Sequence, residues 1–373
     1  MFATYKLLRD MQTVNFGVIT TQLPVPDMVK IGIAAEKYGF DSVWVPDHYV
    51  DMPPSGDMVD PWVVLSAIAS HTKNIMLSTA ATDVLRYHPS KLAHIVATLD
   101  HLSHGRAMVG IGAGEVMNVV PFGIKWEKPS ERILRVRETI EVMRLLWSSS
   151  IDRRVNYKGK YYMLENAWLD LSPLQKPHPK IFVAALASKT LLAVAGEVGD
   201  GWLSGYTTIE KFKEMAKIVK SAASLANRDP DSIRLAVWIP IILCKDQRTL
   251  EMARNAVAPE VLLCARRMLE DYGVEIPHEI FGNSNIPYSH IIPNKEIASL
   301  AAKFAQNIPT NLIEEFVACG NYANIIEFLD KYRKAGATDI LLRDIVGLIV
   351  KKNVDAVRVT LWEFSKKVIP HFR

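Results

Sequence analysis

Cysteine is scarce in this chain: its 373 residues hold three, Cys244, Cys264 and Cys319. They lie far apart, with no C-x-x-C pair and no even set. A disulfide scaffold is excluded, and a reducing cytoplasm with buried thiols fits best. Long apolar runs are missing too. No stretch of about 18 apolar residues occurs, so no segment reads as a membrane span. The N-terminal MFATYKLLRDMQ lacks the apolar core of a signal peptide. Charge of one sign is also lacking. The 44 basic and 40 acidic residues are interspersed and leave a formal +4, so no patch for nucleic acid or a membrane surface stands out. HExxH, Walker, GxSxG and zinc spacings are absent. His94, His101 and His104 fall on or near one helix without the carboxylate spacing of a metal site, so no metal is expected.

What remains is a chain 49% hydrophobic and 23% charged, rich enough in apolar residues for a large core and too balanced in charge for disorder. Length alone suggests two or three domains at about 150 residues each. An α/β barrel, however, runs to about 250 residues or more as one unit. Short apolar runs alternate with helical patterns. The strands read as Val14–Thr20, Asp41–Pro46, Ile75–Ala80, Arg106–Gly112, Lys180–Ala185, Gly201–Gly205, Arg234–Leu243 and Asp339–Arg343. The helices between and after them read as 25–38, 60–72, 89–103, 129–148, 188–197, 208–226, 321–335 and 353–366, three of them led by a proline suited to a first turn. Eight strands alternating with helices predict a (β/α)8 TIM barrel, with an open doubly wound sheet as the rival. Two stretches break the rhythm: 151–178, hairpin-like with Gly159 at the turn, and 259–310, with short helical pieces around prolines. Both read as insertions at the C-terminal face of a single domain spanning 1–373.

Function in such a barrel gathers just after the strands' C-terminal ends. Asp47 and His48 follow the second strand. An imidazole can exchange a proton near neutral pH, and a neighbouring carboxylate can orient it or bind a cofactor edge; a backbone-bonded histidine is the plain alternative. Glu115 stands in GIGAGEVMN after the fourth strand, where glycines let the backbone turn tightly. Partly desolvated, it would be an acid with a raised pKa; otherwise it serves a helix N-terminus. This glycine run is not a dinucleotide fingerprint, because its spacing and its place after the fourth strand are wrong. Ala184, Ala185, Leu186, Ala187 and Ser188 lead straight into a helix, an arrangement that suits a phosphate or simply tight packing with Ser188 as N-cap. Trp44 and His88 read as packing and loop contacts.

Together, GFDSVWVPDHY (39–49), the RYHP to GIGAGEVMN run (86–118), FGIKWEKPSERI (122–133) and VAALASKTLLAVAGEVGDGW (183–202) resemble the bacterial-luciferase-like superfamily of flavin and deazaflavin enzymes. Within it, the likeness is strongest to oxidoreductases using coenzyme F420, in the branch with glucose-6-phosphate dehydrogenases, hydroxymycolic acid dehydrogenases and phthiodiolone ketoreductases. The resemblance implies hydride transfer between the deazaflavin and a carbonyl, alcohol or polarised double bond of a small molecule. It implies that His48 and Glu115 are catalytic and that Asp47 contacts the ring. A non-proline cis peptide between Thr79 and Ala80 would back the ring, and Asn118 would lie at its polar edge. The 184–188 loop would hold the cofactor phosphate. Homodimers are common in the family, with the helices after the first three strands at the interface. Met52 replaces a tryptophan of the glucose-6-phosphate enzymes, and their phosphate-binding lysine is replaced near Thr208, which argues against that substrate. Alternatives are an FMN-dependent monooxygenase, a methylenetetrahydromethanopterin reductase-like enzyme, or a non-catalytic flavin-binding barrel. Pro53, Pro54, Met52 and Met58 suggest an apolar wall over the site.

Overall fold

A computed structural model describes residues 13–52, 56–281 and 290–373. Pro53 and Pro54 lie outside them. The strands are β1 (Asn15–Ile19), β2 (Ser42–Val45), β3 (Met76–Thr79), β4 (Thr82–Asp83), β5 (Met108–Gly112), β6 (Val155–Lys158), β7 (Met163–Ala167), β8 (Lys180–Ala184), β9 (Gly201–Gly205), β10 (Arg234–Leu243), β11 (Ala318–Gly320) and β12 (Asp339–Asp344). The main sheet runs β3-β2-β1-β12-β10-β9-β8-β5-β4, and its pairs are parallel. Its ends meet: the Leu77 N–H donates to the Arg106 carbonyl at 2.9 Å, and Leu77 bridges Ala107. β3 and β4 are two pieces of one barrel strand, so the ring is the expected (β/α)8 barrel.

Helices cover the outside at Val25–Lys37, Pro61–His71, Pro89–Leu102, Pro129–Trp147, Lys189–Val198, Ile209–Leu225, Tyr322–Lys334 and Val354–Lys367. The leading prolines work as expected, because a first-turn residue needs no donor. Asp60 caps the second of these helices, accepting from Trp62 and Val63 N–H at 2.9 and 3.1 Å. His88 caps the third, its Nδ1 accepting from Ser90 N–H at 3.3 Å. Inside the ring, Ile19, Trp44, Met108, Phe182, Leu203, Ala236 and Leu341 form a plug. Trp44 meets Phe182 edge-on at 5.1 Å and donates to Ser42 Oγ at 2.8 Å. Gly17 makes room for it: a Cβ there would sit 2.6 Å from Leu341 and 3.1 Å from Trp44.

β6 and β7 form the expected antiparallel hairpin. Its turn is pinned to the helix Pro129–Trp147 by Glu138, whose carboxylate accepts N–H bonds from Lys160, Tyr161 and Tyr162 at 2.7, 2.9 and 3.2 Å. The later irregular stretch differs from its reading in the sequence. Pro259 lies inside a helix that begins at Gln247 and ends at Cys264. Helices Arg266–Asp271, His278–Phe281, Lys295–Ala305 and Thr310–Ile313 follow, and the block packs its own apolar cluster against Tyr206, Ile242 and Ile345. Periodicity around a proline is a poor guide here, because burial of Val257, Ala258 and Val261 outweighs the local cost of the ring.

Arg106 joins strands and helices at the opposite end of the barrel. Its buried guanidinium donates to the carbonyls of Ser103, Ile75, Ala69 and Thr72 at 2.6, 2.8, 3.1 and 2.9 Å, and to Thr72 Oγ1 at 3.0 Å. Arg106→Met strands those acceptors and is expected to cost about 3 kcal/mol or more in denaturant unfolding. A change below about 0.5 kcal/mol would show that solvent replaces these bonds freely.

Candidate active site

The C-terminal ends of the strands surround a cavity of about 650 Å³. Of the residues singled out in the sequence, Asp47, His48, Ala80, Glu115, Asn118 and all of 184–188 line it; Thr79 does not. His48 Nε2 lies 3.5 Å from Glu115 Oε2, an ion-pair separation without hydrogen-bond geometry. Glu115 makes no side-chain capping bond to the short turn Val116–Asn118 that follows it, which removes its purely structural reading. Burial pushes the Glu115 carboxyl above its usual range and Asp51 adds to this, while His48 pulls the other way.

The loop carrying His48 is held from two sides. Asn118 Oδ1 accepts from Tyr49 and Val50 N–H at 2.7 and 3.1 Å. Asn118 therefore fixes the His48 loop with its oxygen. Arg86, almost wholly buried, donates to Asp47 Oδ1 at 2.9 Å and also to the Asp47 carbonyl. It lies 3.6 Å from Asp83 Oδ2 and 4.6 Å from the centre of the Tyr49 ring. Burial raises the Asp47 carboxyl against the pull of Arg86. Burial likewise pushes Asp83 up to about 6, against a Leu85 N–H bond and Arg86.

The bulge behind the site requires a correction. The cis peptide joins Ala80 to Ala81, not Thr79 to Ala80. Thr79 is still in the ladder, paired with Val45, and its hydroxyl donates to the Gly110 carbonyl at 2.9 Å. The Ala80 N–H also still pairs, with the Val45 carbonyl at 3.0 Å. Pairing thus runs through Ala80, the end of the strand as read in the sequence, and Ala80 and Ala81, rather than Thr79, face the cavity. At 184–188, the Ala185 N–H donates to the Leu203 carbonyl at 3.1 Å, and Ser188 Oγ caps the helix Lys189–Val198 through Leu191 N–H at 3.3 Å. That helix's first turn presents backbone donors at the cavity wall.

A second polar group in the same cavity was not legible in advance. Arg343, ending β12, donates to Glu260 Oε1 at 3.0 Å and to Gln22 Oε1 at 2.5 Å, and bonds Glu260 Oε2 through its other nitrogen. The Tyr206 hydroxyl also donates to Glu260. The position of Arg343 at the end of a barrel strand was an available signal; Glu260, on the inserted helix, carried none.

Comparison with known proteins is consistent with this geometry. The model of the luciferase-like monooxygenase family matches residues 11–339, and the chain belongs to that family. It is 32% identical over 251 residues to an F420-dependent glucose-6-phosphate dehydrogenase of Amycolatopsis mediterranei, covering 65% of this chain and 73% of that one. It is 29% identical over 348 residues to a phthiodiolone/phenolphthiodiolone dimycocerosates ketoreductase of Mycobacterium bovis, covering 87% and 89%. Among solved structures, an F420-dependent secondary alcohol dehydrogenase holding an F420–acetone adduct superposes with a TM-score of 0.79 at 25% identity, over 97% of this chain and all of that one. The coenzyme F420-dependent tetrahydromethanopterin reductase of Methanopyrus kandleri shares the fold, with a TM-score of 0.78 at 21% identity over 97% and 99%.

Asp83 yields a prediction. With its folded pKa raised to about 6, it binds more proton folded than unfolded between about pH 4 and that value. Its contribution to stability is therefore largest at low pH and falls as pH rises through this window, then levels. Asp83→Asn should flatten that part of the stability curve relative to wild type. An unchanged slope would mean that Asp83 titrates normally.

Proposed function

We propose that this protein is a coenzyme F420-dependent oxidoreductase acting on a carbonyl or alcohol, one barrel domain with the helical block after β10 shaping its substrate pocket. The observation that carries the reading is the His48–Glu115 pair, 3.5 Å apart in the cavity wall. The F420 dependence of the relatives supports the cofactor. The cavity fits such a group. Among the described residues, His48 Nδ1, Glu115 Oε2 and Ser204 Oγ are buried with no hydrogen-bond partner, so polar atoms are left for a ligand to satisfy. Ala80 and Ala81 give a wall without bulky side chains.

When bound, F420 supplies a deazaflavin ring that carries a hydride to or from a substrate carbon. Asp47 and Asn118 hold the loop on which His48 meets the substrate. The 184–188 loop and the helix after it would hold the cofactor's phosphate. His48 would take the hydroxyl proton of a substrate alcohol, or return it to a substrate carbonyl oxygen, beside the place where the ring would be held. Glu115, its carboxyl raised by burial, would handle a proton at the edge of the bound ring. This reading includes a homodimeric enzyme of the cytoplasm. No described helix is long and apolar enough to cross a membrane.

His48→Ala should slow single-turnover reduction of bound F420 by about 100-fold or more, with the dissociation constant for F420 changed by less than about threefold. Titration with reduced FMN is the companion measurement. Wild-type turnover in the variant would remove His48 from the mechanism. Micromolar binding of FMN with none of F420 would favour a monooxygenase instead.

A further inference from the structure

His48 and Glu115 come from different strand ends, and little besides their neighbours in the chain orients them. Among the described residues, the His48 imidazole makes no hydrogen bond; its Nδ1 and Glu115 Oε2 are buried without a partner. Their 3.5 Å approach is therefore set through the residues on either side of each. Those residues are tied together twice. Asn118, just after Glu115, accepts from the N–H groups of Tyr49 and Val50, just after His48. The second tie runs through Arg86. Its Nη2 donates to the carbonyl and to Oδ1 of Asp47, just before His48. Its Nε lies 3.6 Å from Asp83 Oδ2. Asp83 in turn lies against Gly114, just before Glu115, where a Cβ would fall 2.8 Å from Oδ1 and 2.9 Å from Oδ2. Arg132 steadies the same turn from the helix Pro129–Trp147, donating to the Ala113 carbonyl at 3.2 Å. Burial works against the charge on Arg86, and Asp47 and Asp83 more than offset it. The bridge is thus ionic and almost wholly out of solvent.

We propose that Arg86 is a positioning residue for hydride transfer: one guanidinium, shared by Asp47 and Asp83, keeps the His48 strand end in place against the turn that carries Glu115. The inference rests on the oxidoreductase reading above. Arg86 need not touch substrate or cofactor to do this. Its fork matters as much as its charge. Nη2 serves Asp47 while Nε is turned to Asp83, and the single ammonium of a lysine cannot reproduce that spacing. A shift of about 1 Å in a reacting group can cost about 100-fold in rate. Loosening the bridge should therefore be felt in the chemical step rather than in binding.

The test uses the full chain as wild type, Arg86→Lys, Asp83→Asn and the double variant. The first readout is amide hydrogen exchange of the cofactor-free protein. Arg86→Lys should speed exchange in segments 46–50 and 113–118 together, by about tenfold or more, with the Arg106 end of the barrel unchanged. The second readout is single-turnover reduction of bound F420 by 2-butanol. Arg86→Lys should slow it by about tenfold or more, with KM for the alcohol and Kd for F420 changed by less than about threefold. Asp83→Asn cuts the same bridge, so the double variant should lose little beyond Arg86→Lys alone. Millimolar guanidinium added to Arg86→Ala should recover at least about tenfold in rate, which a residue needed only for stability would not show. Where Arg86→Ala does not fold, the other variants decide. Unchanged exchange in either segment of Arg86→Lys overturns the proposal, whether or not 2-butanol is turned over. Fully additive losses, or a loss confined to KM, overturn it as well. Failure of F420 to bind wild type is a separate result, which counts against the oxidoreductase reading alone.

Discussion

Arg86 sits almost wholly out of solvent between Asp47 and Asp83, and the three loops that make the site depend on this one buried charge chain. It ties the carboxylate and carbonyl of Asp47, just before His48, to the bulge after β3. On the other side, Asp83 packs against Gly114, whose φ is +88° and where a Cβ would fall 2.8 Å from Asp83 Oδ1, so glycine lets the turn after β5 pass beside the carboxylate. Glu115 follows directly. The positions of His48 and Glu115 are thereby set by groups that need not touch a substrate themselves. A buried charge is costly unless paired, so the same constraint that fixes the geometry also makes each partner hard to replace.

The cavity then divides its electrostatics. Beside His48, burial favours the protonated form of Glu115. Elsewhere in the lining, Glu260 and Arg343 are bonded to each other. The 184–188 loop meets the same cavity through backbone donors. Side-chain acids, a buried ion pair and backbone donors thus sit on different strand ends, an arrangement that lets one barrel scaffold host many reactions.

Most of the barrel was legible in the sequence, because eight short apolar runs and their amphipathic helices obey simple periods. The strands read at Asp41–Pro46 and Arg106–Gly112 are found as β2 and β5, shorter by two residues each. The proline-led helices began where their caps allow. Asp47, His48, Glu115 and Asn118 could be found because they follow strand ends. Other features depend on partners remote in sequence. Arg86 means little until Asp47, 39 residues away, is beside it. Glu260 and Arg343, 83 residues apart, pair only through packing of the inserted helices. The cis bond lies one residue beyond its expected place, after Ala80, whose N–H still pairs with Val45 of β2. Motif likeness locates such a bulge but does not fix its register.

The account's central claim is that a hydride passes directly between substrate carbon and deazaflavin in this cavity. Incubating the F420-loaded protein with a secondary alcohol deuterated at the carbinol carbon, then weighing the reduced cofactor by mass spectrometry, tests it most directly. The account predicts that the cofactor gains the substrate's deuterium in ordinary water. Reduced cofactor carrying only solvent hydrogen, or no reduction by any uncharged alcohol or ketone pair, would contradict it.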